Sequence, residues 1–165
     1  MLLRPISHLI LYSFTFGGAV FYSYVASPIA FKTLARDQFS VLQSKVFPWF
    51  FTMQSLSPVA LALTLPIPLA TPAYYALGSS SIMGLINLYG LLPWNKSIKI
   101  KRQKLQKKFD RGQLTKDQFD ALDTPLKKEF GKAHGLSLLF NMGHILAMLA
   151  YGCYLTSGLL HYIPK

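Results

Sequence analysis

The chain has 165 residues, is 52% hydrophobic and only 14% charged, and carries a formal net charge of +11. Soluble domains have roughly a quarter of their residues charged, so this composition excludes an ordinary soluble domain. It also argues against a nucleic-acid binder, because the basic residues are segregated beside long uncharged runs and do not form a basic surface interleaved with aromatics.

No Asp, Glu, Lys or Arg lies between Arg4 and Lys32, between Lys45 and Lys96, or between Lys132 and Lys165. A hydrocarbon core of ~30 Å takes ~20 helical residues. The first gap therefore predicts one span at about 7–30. Met1-Leu2-Leu3-Arg4 imitates a signal peptide, but the apolar stretch after it is too long for one and no small-residue cleavage site follows. A short interfacial helix is predicted from Asp37 to Lys45. The middle gap is twice as long and is broken by Pro66, Pro68 and Pro72. It predicts spans at about 47–65 and 72–92 around a proline turn. The last gap predicts a span at about 136–160. The runs are continuously apolar and too long for barrel strands. The predicted fold is all-α: one transmembrane domain over 1–165, an up-down-up-down four-helix bundle with loops at about 32–45 and 95–132.

Twelve Lys or Arg residues fall between Lys96 and Lys132. Residues 95–109 continue the third span as a helix, with Ile98, Lys101, Arg102, Leu105 and Phe109 at helical spacing. Asp110-Arg111-Gly112 ends it. Thr115 and Gln118 fit a capping box, opening a short helix to Leu122. Asp123-Thr124-Pro125 reads as a second helix start that runs into the last span. Basic loops stay cytoplasmic, so four spans put this hairpin and the 32–45 loop in the cytosol and both termini on the other side. Three spans would separate the two basic loops. The run Lys96–Lys108 also suits anionic lipid.

Gln54, Asn87, His134, Asn141 and His144 lie in or beside the spans. Three explanations compete: interhelical hydrogen bonds, a pocket for a small molecule or lipid headgroup, and a metal or haem site. No HxxxH, CxxC or ExxH motif supports a metal, so neither metal nor cofactor is expected. His8 and His161 are placed at the interface. Ser13/Gly17, Ser80/Gly84 and Gly131/Gly135 are candidate close-approach pairs. Cys153 is a lone thiol within a span. Nucleophile elbows, Walker loops and paired intramembrane carboxylates are absent, and the acids Asp110, Asp117, Asp120, Asp123 and Glu129 read as solvated surface. The expectation is a non-enzymatic protein without catalytic residues.

The segment Phe39 to Phe51, containing Gln43-Ser44-Lys45 and Phe47-Pro48, resembles the F-x-x-x-Q-S-K-x-F-P-x-x-F signature of the transmembrane protein 205-like family. His134-Gly135-Leu136-Ser137-Leu138-Leu139-Phe140-Asn141 is similar to its second signature. Asn87 followed by Pro93 resembles the asparagine and proline ending its third span. The look is that of a fungal or lower-eukaryotic member. The resemblance implies a four-helix protein of the secretory pathway or cell surface, with no reaction attached. An accessory, trafficking or stress-resistance role through partner proteins is then expected. The alternative is a lipid or small-molecule binder. In that version Gln43, Ser44, Lys45, Pro48, Asn87, Pro93, His134, Ser137 and Asn141 form one polar cluster at the cytoplasmic mouth, with Lys45 as its cation.

Overall fold

A computed structural model describes residues 3–68 and 70–161. Met1, Leu69, Lys165 and the side chain of His161 lie outside what it describes. Among the described residues there is no strand. Four continuous helices account for the fold: α1 (Leu3–Thr33), α2 (Arg36–Leu63), α3 (Thr71–Asp110) and α4 (Lys116–His161). All four contain stretches long and apolar enough to cross a bilayer. The chain is thus a multi-pass membrane protein built as an all-α four-helix bundle.

The helix ends follow from local chemistry. The Gln38 side chain accepts the Ala35 N–H at 3.3 Å, and Asp37 sits in the first turn of α2, where it offsets the helix dipole. Pro72 lies in the first turn of α3, where its missing N–H costs nothing. Gly112, at φ 69°, ends α3. Its N–H bonds Phe109 and that of Gln113 bonds Lys108, the paired reversal of a Schellman stop. Thr115 and Gln118 cap α4 reciprocally at 3.0 and 3.3 Å, as their spacing predicts.

Two predicted boundaries do not exist. The interfacial segment at Asp37–Lys45 is continuous with the second span, and α2 runs through Pro48 and Pro58. Likewise α4 passes through Asp123 and Pro125 without a break. Asp123 is no cap. Its carboxylate is held by Arg102 of α3 through bonds of 2.7 and 3.0 Å, and by Lys127 at 3.3 Å. Nor is it solvated surface, being 3% exposed. Glu129 likewise leaves the solvated set, since it accepts the Trp94 indole N–H at 2.8 Å.

Two helices carry a local π turn, at Tyr22–Ala26 in α1 and Ile86–Leu91 in α3. Each stands just before a proline, Pro28 and Pro93. A proline offers no N–H to the carbonyl four residues back, and a wider turn is one way to absorb that defect.

Helix α3 packs on both α2 and α4, whereas α1 is peripheral: 11% of its apolar window is buried against 33–39% for the others. On α4, Ser137, Asn141, His144, Met148, Tyr151 and Leu155 recur at alternating steps of four and three. That is the seam of a left-handed antiparallel pair. Its partners confirm the direction, Ser80 facing His144, Asn87 facing Ser137, Trp94 facing Glu129 and Arg102 facing Asp123. Phe109 and Phe119 close the hairpin tip, with ring centroids 4.8 Å apart. At the other end Leu61, Ala73, Leu77, Met148, Tyr151 and Leu155 form an apolar core, and Ala19, Phe50, Phe51 and Ile145 form a second one.

Candidate functional site

Polar side chains enter the bundle in successive layers. Farthest from the hairpin, His8 is fully buried between Thr64, 3.0 Å from Nδ1, and the Tyr151 hydroxyl, 2.6 Å from Nε2. The Thr64 hydroxyl donates to the Ala60 carbonyl at 2.7 Å. Its one proton is therefore spent, Nδ1 carries the hydrogen, and Nε2 accepts from Tyr151; the tautomer is assigned from this inventory. His8 thus faces the inside of the bundle, at the level where α2 ends at Thr64. Its partner lies 143 residues away, beyond the reach of local spacing.

In the next layer the Ser80 hydroxyl lies 2.7 Å from His144 Nδ1, and Ser81 donates to the Ser55 carbonyl at 2.6 Å. Gly84 makes this approach possible. A Cβ there would lie 2.7 Å from Ser55 N and 2.8 Å from the Gln54 carbonyl carbon. Of the three predicted small-residue pairs, only Ser80/Gly84 lies at a close helix contact. Gly17, Gly131 and Gly135 have open space where a Cβ would stand.

Below that, Gln54 donates to Asn141 at 2.7 Å and Asn141 donates to Ser23 at 2.8 Å, tying three helices together. Asn87 and Ser137 pair reciprocally, the Ser137 hydroxyl donating to Asn87 Oδ1 at 2.7 Å and Asn87 Nδ2 to the Ser137 carbonyl at 3.3 Å. Gln43 accepts from the Tyr22 hydroxyl and donates to Ser27 at 2.8 Å. Tyr22, Ser23 and Asn87 all stand in the two π turns, so the widened turns carry side chains that bind neighbouring helices.

The nine residues expected as one rim are therefore distributed. Asn87 joins Ser137, and Asn141 joins Gln54 and Ser23. Gln43 belongs to a separate contact, eleven residues before Gln54 on α2, about 16 Å along the axis at 1.5 Å per residue. Ser44 bonds back to Val41 of its own helix at 2.7 Å. Lys45, Pro48, Pro93 and His134 are exposed. His134 stacks on Phe130 with rings 5.7 Å apart. It shares a heptad position with Asn141 but not its burial. The buried positions before Asn141 are Ala133 and then the half-buried Ser137, two steps of four, and this shift turns His134 off the seam.

Among the described residues, no group of three or more His, Cys, Asp or Glu is arranged to hold a metal ion. The side chains that do meet are amides, hydroxyls and imidazoles, suited to hydrogen bonding between helices. Gln54 Oε1 and His144 Nε2 have no partner among the described residues.

A family model described as a domain of unknown function, DUF4149, matches residues 10–104. The chain belongs to that family. The matched segment takes in most of α1, all of α2 and α3 through the first part of its basic extension, so it contains both π turns together with Gln43, Gln54, Ser80 and Asn87. Their partners on α4 lie beyond it. No curated protein and no solved structure matches the chain. Sequence reasoning missed Tyr22, Ser23, Ser27, Thr64 and Tyr151 as polar partners. A signal for part of this set was present in the seven-residue spacing of His8, Thr15 and Tyr22 and of Ser137, His144 and Tyr151.

Proposed function

We propose that this DUF4149 protein is a non-enzymatic membrane adaptor, its hairpin in the cytosol and both termini on the opposite side. The likeness to the transmembrane protein 205-like family favours a secretory-pathway or cell-surface membrane and an accessory, trafficking or stress-resistance role exerted through partner proteins. One observation carries the proposal: polar groups inside the bundle are largely occupied with one another, whereas the hairpin carries most of the protein's cations on a frame tied by side-chain contacts. Arg102–Asp123, Trp94–Glu129 and Phe109–Phe119 hold that frame. Lys96, Lys101, Lys104 and Lys108 remain exposed on it. The competing binder reading requires the nine polar residues to act as one cluster, and their distribution over several layers gives it less support.

The test is a photo-crosslinking residue at position 104 in living cells. Discrete protein adducts are expected, and these should fade when Lys96, Lys101 and Lys108 are replaced by Gln while the purified bundle keeps its unfolding temperature. Adducts to lipid alone would contradict the adaptor role.

A further inference from the structure

Between α1 and α2 runs an open groove of about 700 Å³ on the outer surface of the bundle. Phe14, Gly18, Tyr22, Trp49 and Met53 line it, and Lys45 is the one charged residue among the described residues that line it. Gly18 leaves its floor low, with no atom within 4 Å of where a Cβ would stand. Tyr22 is fixed by its bond to Gln43. Trp49 is 78% exposed beside the groove, the amphipathic ring favoured at headgroup depth. Lys45 is exposed, and among the described residues no carboxylate pairs with it. It lies on the same end of α2 as the basic loop, one helical turn from Trp49. A long Lys stem keeps its ammonium at the interface while its carbons cover apolar surface.

We propose that this groove is a binding site for one phospholipid with a net-negative headgroup, seated in the leaflet on the hairpin side. The headgroup phosphate pairs with the Lys45 ammonium, and an acyl chain lies along Phe14, Gly18 and Met53. Charge selects the class: a zwitterionic lipid brings its own cation to Lys45, whereas an anionic lipid has an unbalanced charge to offer it. The site is independent of any protein partner of the hairpin.

Trp49 reports on the groove directly. In a Trp94→Phe background it is the only tryptophan. The full chain is reconstituted in vesicles of phosphatidylcholine doped with brominated phosphatidylserine or, separately, brominated phosphatidylcholine. Bromine quenches tryptophan on contact. At equal low mole fraction the serine lipid should quench Trp49 at least threefold more than the choline lipid. Lys45→Gln should remove that preference by removing the cation. Gly18→Leu should also remove it by filling the floor, and the open space at Gly18 lets the fold accept the side chain. Lys32→Gln, a cation outside the groove, should leave the preference unchanged, which separates the site from the general attraction of a basic protein for anionic lipid. Equal quenching by both lipids, a preference that survives either groove substitution, or an equal loss in Lys32→Gln overturns the proposal. So does a Trp49 shielded from both lipids, which would mean that protein, a second copy of the chain included, fills the groove.

Discussion

Gly84→Ala should destabilise the bundle by about 2 kcal/mol, within the ~1–3 kcal/mol usual for overpacking. The new methyl would meet Ser55 N at 2.7 Å and the Gln54 carbonyl carbon at 2.8 Å. Both are backbone atoms of α2, so no rotamer change relieves the clash and the helices must part. Separation would also strain the Ser81–Ser55 and Gln54–Asn141 bonds. Replacing a mid-helix Gly by Ala otherwise gains up to ~1 kcal/mol in water, and the packing loss outweighs it here. Gly78→Ala on the same helix is the control, because nothing lies within 4 Å of its added methyl. Unfolding curves in mild detergent should show a lower midpoint for the first variant and an unchanged or higher one for the second.

Arg102→Met should weaken the hairpin by about 2 kcal/mol. Breaking a fully buried pair costs ~3–5 kcal/mol, and two features reduce that here. Lys127 still faces Asp123, and the carboxylate is covered by its immediate neighbours without being sunk in the bundle. Arg102 itself is about a third exposed. The double variant Arg102→Met/Asp123→Leu should regain most of the loss, since an apolar pair leaves no charge stranded. Amide exchange over residues 98–126 measures both opening free energies. The same bond sets a pH dependence. The Arg102 guanidinium, bonded to the Asp123 carboxyl, holds it below the usual carboxylate range against the opposing effect of burial. A carboxylate depressed on folding stabilises above its unfolded pKa, near 3.9. That contribution is lost as pH falls through the lower, folded value. Hairpin protection, corrected for intrinsic exchange, should therefore hold from pH 7 to 5 and decline below about 4, and Asp123→Asn should flatten that decline.

The spans, the α2–α3 turn, the Schellman stop and the Thr115 cap were legible because each depends on a short stretch of chain. Charge is excluded from hydrocarbon, proline removes a donor, and a hydroxyl three residues before a glutamine finds its amide. Asp123 shows where such evidence fails. Asp-Thr-Pro carries every local mark of a helix start, yet Arg102, twenty-one residues earlier, recruits the carboxylate and the helix runs through. His8 shows the same limit, since its position near a chain end gave no sign of the Tyr151 hydroxyl, 143 residues away, that buries it between helices. The π turns left only an indirect trace in Pro28 and Pro93. The candidate polar residues were identified by type, but their partners depend on the rotation of each helix, which the π turns and the shift of the α4 seam alter.

The orientation of the bundle in its membrane is read out by one engineered cysteine at a time in a Cys153→Ser background. Lys107→Cys lies on the basic hairpin and Ala70→Cys in the turn between α2 and α3. A membrane-impermeant maleimide is applied from the cytosolic side of sealed membranes. The proposed arrangement predicts labelling of Lys107→Cys at once and of Ala70→Cys only after permeabilisation. Labelling of Ala70→Cys from the cytosol in intact membranes would contradict it.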